Sequence, residues 1–173
     1  MKKFFILIFL LFSLAGFSQA QSGGLPASCR KILDKNFRGW KFAKISGEIQ
    51  KHLRENISPD TRGNLISGDW NGDGRTDYAA LIEHGEDVLN DGTKLKRNLA
   101  VAFVRSGKTY KHSVLDTAGD YIALEKKGVK AYDHDTQSGI RFKNDAVFVG
   151  IWEKAGRSYV WRRGKFIYFQ TSD

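Results

Sequence analysis

The chain has 173 residues, 41% of them hydrophobic, and a formal net charge of +9 at neutral pH, a length and composition that suit one domain with its own core. Its single cysteine, Cys29, excludes an intramolecular disulfide. The positive charge favours solubility and loose attraction to anionic polymers, and it carries no information about fold.

Lys2 and Lys3 precede an almost unbroken apolar run from Phe4 to Phe17, and Ser18-Gln19-Ala20 puts small residues three and one before a cut after Ala20. Residues 1–20 are therefore expected to be a secretory signal peptide. The apolar run is shorter than the roughly 20 residues that a spanning helix needs, and no stop-transfer pattern follows. Export to the periplasm or beyond it is expected, with no stable membrane insertion after cleavage. Cys29 lies well past the apolar run, and Leu25-Pro26-Ala27-Ser28 before it fits a lipoprotein signal poorly. Cleavage would leave about 153 residues and a charge of +7, because the leader holds two lysines and no acid.

Residues 21–27 are small and contain Pro26, so they read as a flexible lead-in to a single domain over 28–173. Two short helices follow. In the first, Ser28 is the expected cap, Cys29, Ile32, Leu33 and Phe37 recur at helical spacing, and Gly39 ends the run. In the second, Ser46 is the expected cap, Glu48 sits near the positive end of the helix dipole, and Ile49 and Leu53 share a face before Pro59. From Arg62 onward the period becomes strand-like. Strands are predicted near 63–69, 77–84, 97–104, 108–115, 120–125, 129–133, 145–153, 157–162 and 165–171. Ser106-Gly107 and Arg163-Gly164 read as tight hairpin turns. The stretches 99–104 and 146–152 are apolar on both faces, as central strands covered on both sides are, and the helices are natural candidates for one cover. The predicted class is α+β: a mostly antiparallel, meandering β-sheet preceded by two short helices.

The segment Asp69 to Asp77 reads DWNGDGRTD. Calcium is a hard cation that takes six to eight oxygen ligands, and a loop with oxygens at alternate positions supplies them. Asp69, Asn71 and Asp73 stand at positions 1, 3 and 5 of such a loop, and Gly74 stands at position 6, where the chain must turn sharply. Arg75 would give its backbone carbonyl, and Asp77 would bind directly or through a water. The expected metal ligands are thus Asp69, Asn71, Asp73, Arg75 and Asp77, around one structural Ca2+. Further oxygens are sought in Glu83, Glu86, Asp87 or Asp91. The competing reading is a polar hairpin loop that binds nothing, since Asp, Asn and Gly are all turn formers.

This segment resembles the DxNxDGxxD calcium loop shared by FG-GAP and VCBS-type repeats, dockerins and EF-hands, over residues 65–84. Position 12 is Ala80 where an EF-hand has a bidentate glutamate, and the flanks are strand-like, so the likeness is to the FG-GAP type. There the loop recurs once per propeller blade; here it occurs once, and the resemblance implies a local calcium loop alone. The whole chain is also similar to small exported bacterial proteins that carry a single such loop, which implies no activity.

His52, His84, His112 and His134 are scattered without metal-type spacing. Asp133-His134-Asp135 would suit a second metal or an acid/base pair, and it reads more simply as a polar turn. No GxSxG, HExxH or phosphate-cradling glycine loop is present. The stretch 159–169 interleaves aromatic with basic residues, including Arg162, Arg163 and Lys165, as a ligand surface or as the alternation of a half-buried hairpin. The leading expectation is a non-enzymatic, calcium-stapled module that binds a protein or an anionic envelope polymer, with nucleic acid disfavoured by export. The alternatives are a cell-wall or glycan hydrolase using carboxylates such as Glu83 or Glu86 near the calcium loop, and an inhibitor or adaptor acting through the basic hairpin.

Overall fold

A computed structural model describes residues 24–88 and 90–172. The predicted signal peptide and residues 21–23 lie outside the described residues. The first helix, α1, spans Ala27–Asn36 and begins earlier than a Ser28 cap would allow. Pro26 occupies the cap position at φ −55° and ψ 148°, and its carbonyl accepts the first helical hydrogen bond, from Arg30 N at 3.0 Å. Proline has a φ already set for the turn, but it offers no side-chain acceptor, so the first-turn N–H groups of α1 receive no side-chain cap. Leu25, read from sequence as part of a flexible lead-in, is instead buried with Cys29, Leu33 and Phe37.

The second helix, α2, spans Gly47–Asn56, and the Ser46 hydroxyl accepts from Ile49 N as the sequence predicts. Between the helices, Lys41–Phe42 forms a two-residue strand, β1. The helices therefore do not both precede the sheet, because a strand this short shows no alternation to read.

The remaining strands are β2 (Leu65–Gly68), β3 (Asp77–Val88), β4 (Lys94–Ser106), β5 (Thr109–Asp116), β6 (Tyr121–Glu125), β7 (Lys130–Asp133), β8 (Ser138–Arg141), β9 (Ala146–Ile151), β10 (Ala155–Arg162) and β11 (Lys165–Ser172). Every pairing is antiparallel. The protein is β-rich with two helices, but its strands fall into three sheets rather than one meander. In the first sheet β4 lies between β3 and β5, and β2 and β1 follow one another along the other edge of β3, β2 against Asp77 to Ala80 and β1 against Ile82 and Glu83. The second sheet has the order β11-β10-β9-β6, and β7 and β8 form a separate hairpin. After β5, the Asp116 carboxylate accepts from Thr117 N at 2.8 Å and Ala118 N at 3.1 Å, a local turn that breaks the meander and sends the chain to the second sheet.

Alternation along the strands builds the layers. Leu99, Val101 and Phe103 of β4 face α1, with Ala80 and Ile82 of β3. Ala100, Ala102 and Val104 face the second sheet, where Val147, Val149 and Tyr159 meet them. The two-sided apolar run thus marks a central strand, with α1 as one cover and the second sheet as the other. Behind the second sheet, Phe142, Ala146 and Val160 pack against Ile140 and Ala131 of the β7-β8 hairpin. Each fully buried large side chain in these clusters contributes about 1.5–3 kcal/mol.

One acid at the end of β6 opposes this burial. The Glu125 Oε2 atom is buried and has no hydrogen-bond partner among the described residues. Burial raises its carboxyl above the ordinary 4.5, against a hydrogen bond from Ser158 that lowers it. The folded state therefore holds this proton more tightly than the unfolded chain, so the group's contribution is full below pH 4.5 and is lost as pH rises through its folded value. Urea unfolding of the protein and of Glu125→Gln at pH 7.5 and pH 5 should show the variant's relative advantage shrinking on acidification. A pH-independent difference would mean that the carboxylate is not held at a cost.

Candidate metal centre

The antiparallel pairing of Gly68 with Asp77 closes residues 69–76 into a hairpin loop between β2 and β3. Its curl is set by the short polar side chains. Asp69 Oδ1 accepts from Gly72 N at 2.8 Å and Asp73 N at 3.1 Å, and Asp69 Oδ2 accepts from Gly74 N at 2.8 Å. Asn71 Oδ1 accepts from Asp73 N at 2.9 Å, and Asp73 Oδ1 accepts from Arg75 N at 2.9 Å. Such side-chain turns compete with regular structure, and they wind the backbone around the oxygens. Gly74 has φ +77°, the left-handed conformation predicted for position 6, and Gly72 has φ +78°.

The five predicted ligands do not form one uniform set. Asp69 and Asn71 are half-buried, Asp73 and Arg75 are exposed, and Asn71 Nδ2 donates to Asp73 Oδ2 at 3.2 Å. Asp77 lies behind them, fully buried at the start of β3. Its Oδ2 accepts from Trp70 N at 3.0 Å and its Oδ1 from Arg105 N at 2.7 Å, so it braces the loop against β4. Burial pushes the Asp77 carboxyl up to about 6, although the two backbone N–H donors pull it down; the Asp73 carboxylate adds to the rise.

Trp70, the motif's second residue, turns inward. It is fully buried in the cluster between the two sheets, and its indole N–H donates to the Tyr78 carbonyl at 3.3 Å. From the second sheet, the segment before β9 docks on the loop. Asp145 Oδ2 accepts from Asp69 N at 3.1 Å, Asp145 Oδ1 accepts from Lys127 N at 3.0 Å, and Asn144 Nδ2 donates to the Trp70 carbonyl at 3.2 Å. Sequence reasoning missed Asn144 and Asp145; the only signal was a polar pair just before an apolar strand.

The acids sought as extra ligands are elsewhere. Because β3 continues to Val88, Glu83 stands six residues along the strand from Asp77, which is about 20 Å at 3.3 Å per residue. Glu83 pairs with Lys96 at 3.8 Å, Glu86 with Lys94 at 3.7 Å, and Asp87 with Arg97. Asp91 accepts from Thr93 N at 2.9 Å in its own turn. None of these contacts reaches the 69–77 loop, which also separates Glu83 and Glu86 from the site that a hydrolase reading placed beside it.

The histidines are likewise apart, each against an aromatic ring: His52 on Trp152, His84 and His112 on Phe37, His134 on Tyr132. Asp133 is buried and accepts from Gln170 N at 3.2 Å and from the Thr136 hydroxyl, which makes the Asp133-His134-Asp135 segment a braced turn. Cys29 is buried on the inward face of α1, and burial pushes its thiol up to about 12. Among the described residues, no three His, Cys, Asp or Glu side chains converge as metal ligands do.

The donors on the loop are all oxygens, the chemistry of a hard cation. The two oxygens of Asp69 have about four lone-pair sites, and three are taken by backbone N–H groups. One remains, on the same turn that carries the Asn71 and Asp73 side-chain oxygens. No protein-family model, curated protein or solved structure matches the chain.

Proposed function

We propose that the 69–77 loop holds one Ca2+ in a structural role, and that the protein is a non-enzymatic binding or interaction module acting after export. The supporting observation is the wiring of the loop: the Asp69 carboxylate gathers three successive amides, which brings the oxygens of Asp69, Asn71 and Asp73 around one turn. The likeness of this segment to FG-GAP-type calcium loops supports the same reading. Calcium is held by Asp69, Asn71, Asp73 and the Arg75 carbonyl, with Asp77 supporting them from behind. Three carboxylates lie along the segment, so the ion also relieves their mutual repulsion. Through the bond from Asp69 N to Asp145, order in the loop passes to the second sheet.

For extracellular calcium modules, dissociation constants of about 10⁻⁴ to 10⁻³ M are usual. At 5 mM calcium this corresponds to about 1–2 kcal/mol of added stability, or a melting-temperature rise of about 2–8 °C for a domain of this size. Thermal unfolding in calcium and in chelator measures it, with Asp73→Ala as the variant that removes the most exposed ligand. Equal melting temperatures in the two buffers, with no effect of the variant on the response, would overturn the calcium reading. The hydrolase reading rests on the clustering of carboxylates near the loop; Glu83 and Glu86 line a depression with Arg38, Lys41 and Lys96, and the lysine partners of both acids make it the weaker of the two.

A further inference from the structure

We propose that the free edge of β5 takes up an extended, acidic segment of a partner protein as an added strand. The proposal deepens the binding-module reading, on which it rests, by giving it a docking surface and a partner class. Hairpin geometry decides which groups the edge offers. Gly107 and Lys108 form a two-residue turn, with φ +64° at Gly107, so Ser106 and Thr109 close it as a hydrogen-bonded pair. Along an antiparallel ladder such pairs alternate with open ones. Lys111 and Ser113 therefore bond to Val104 and Ala102 of β4, whereas Tyr110, His112 and Val114 turn their N–H and C=O groups away from it. Arg105, opposite Tyr110, obeys the same alternation: its N–H points to the other side, to Asp77 Oδ1 at 2.7 Å.

The outer edges of β3, β6 and β11 are each engaged. On β3, Leu81 N donates to the Asn64 carbonyl at 2.9 Å and the Leu81 carbonyl accepts from Ala43 N at 3.0 Å, which fills the step between β2 and β1. On β6, Ile122 N donates to the Gly63 carbonyl at 2.7 Å. On β11, the Gln170 carbonyl accepts from His134 N at 2.8 Å, and Gln170 N donates to Asp133 Oδ1 at 3.2 Å. Among the described residues, nothing of this kind meets β5, an eight-residue strand without proline whose bulge lies at its far end, beside Asp116. An open row of donors and acceptors pairs with another chain, which is why folds cover or break their edges. This edge is neither covered nor broken.

The backbone row selects a peptide strand, because its N–H and C=O groups recur at every second residue and another extended chain matches that spacing. A sugar, a phosphate or a nucleic-acid strand would meet the lysines and leave the row unpaired. Charge selects the kind of strand. Arg105, Lys108 and Lys111 are exposed along the hairpin, and among the described residues none of them has a carboxylate within ion-pair distance. The one acid of β5, Asp116, is already engaged by the Tyr159 hydroxyl at 2.6 Å, by Arg157 at 3.3 Å and by two backbone N–H groups. A second copy of this chain brings the same cations and a net charge of +9, so like charge opposes self-pairing. Residues 1–23 hold no acid, so the chain's own N-terminus is not the segment either. Val114, 45% exposed on the face that it shares with Val101, adds an apolar contact for an alternate side chain of the incoming strand.

The test is amide NMR of the isotope-labelled full chain. In the free protein, the amides of Tyr110, His112 and Val114 are expected to exchange fast, and those of Lys111 and Ser113 slowly. Titration with a blocked octapeptide of alternating glutamate and valine should then shift the Tyr110, His112 and Val114 signals and slow their exchange. The lysine-valine counterpart, and the glutamate-valine peptide with every amide N-methylated, should leave them unmoved. Lys111→Gln changes an exposed side chain and keeps the ladder, and it should weaken binding about threefold to fivefold, as loss of an exposed charge pair implies. Val114→Pro removes one N–H from the free edge and should weaken binding about tenfold, with circular dichroism of both variants to check that they fold. Slow exchange of His112 in the free protein would overturn the proposal. So would silence of the acidic peptide at millimolar concentration, equal binding of either control peptide, or a dimer of this chain that already covers β5. Repeating the titration in chelator keeps the two readings apart: peptide binding that persists there leaves the edge standing whatever the loop holds, and a chain that responds to calcium but to no peptide loses the edge alone.

Discussion

Asp77→Ala is expected to lower the unfolding free energy by about 3–5 kcal/mol, measured by urea unfolding in chelator so that no metal contributes. The carboxylate is fully buried, and it is the acceptor for Trp70 N in the loop and Arg105 N at the end of β4. Alanine orphans both donors where water has no easy access, at about 1–3 kcal/mol for each, and leaves a small void. Asp77→Asn separates geometry from charge. The amide keeps the size and one acceptor, avoids burying a charge, and turns an N–H toward the second donor, so it should cost less than half as much. A loss below about 1 kcal/mol for Asp77→Ala would mean that the two N–H groups are satisfied without it, and Asp77 would no longer be the brace between loop and sheet.

That role could not be read from the sequence, where Asp77 is one more acid in an alternating series. Position 9 of the proposed calcium loop and the first residue of a buried strand are the same residue here, and only the location of β4 decides which role dominates. The strands themselves were legible because short apolar runs stand between turn residues; in the central strands both faces are buried, with Ala100 against the second sheet and its neighbour Val101 against α1. Turns were legible where glycine is required: Gly107 at φ +64° and Gly164 at φ +84° stand where hairpins were predicted. β1 and β8 were not, since two to four residues under one layer carry no period. The division into separate sheets depends on which strands meet, and local pattern is silent about that. The contact of Asp145 with Asp69 spans 76 positions and joins two sheets, so no reading of either segment alone finds it.

Trp70→Ala should be comparably damaging, with a loss of about 3–5 kcal/mol in the same assay. In a loop of this type the second residue needs to supply no ligand, and an exposed polar side chain would serve there. Here it is an indole, fully buried between the sheets, with its N–H on the Tyr78 carbonyl and its ring folded over Gly68, where a Cβ would lie 2.4 Å from the ring. Trp70 thus anchors the loop in the core that it caps. Trp70→Phe keeps most of the apolar contact and loses the hydrogen bond, so it should cost about 1–2 kcal/mol. The two variants also test how the loop is coupled to the fold. If the proposed ion only orders its own loop, Trp70→Phe will keep whatever calcium-dependent rise in melting temperature the parent protein shows. If the rise shrinks along with stability, the indole is the route by which the loop stabilises the sandwich. A cost below about 1 kcal/mol for Trp70→Ala would exclude that anchoring altogether, because a tryptophan that packs the space between two sheets cannot be removed so cheaply.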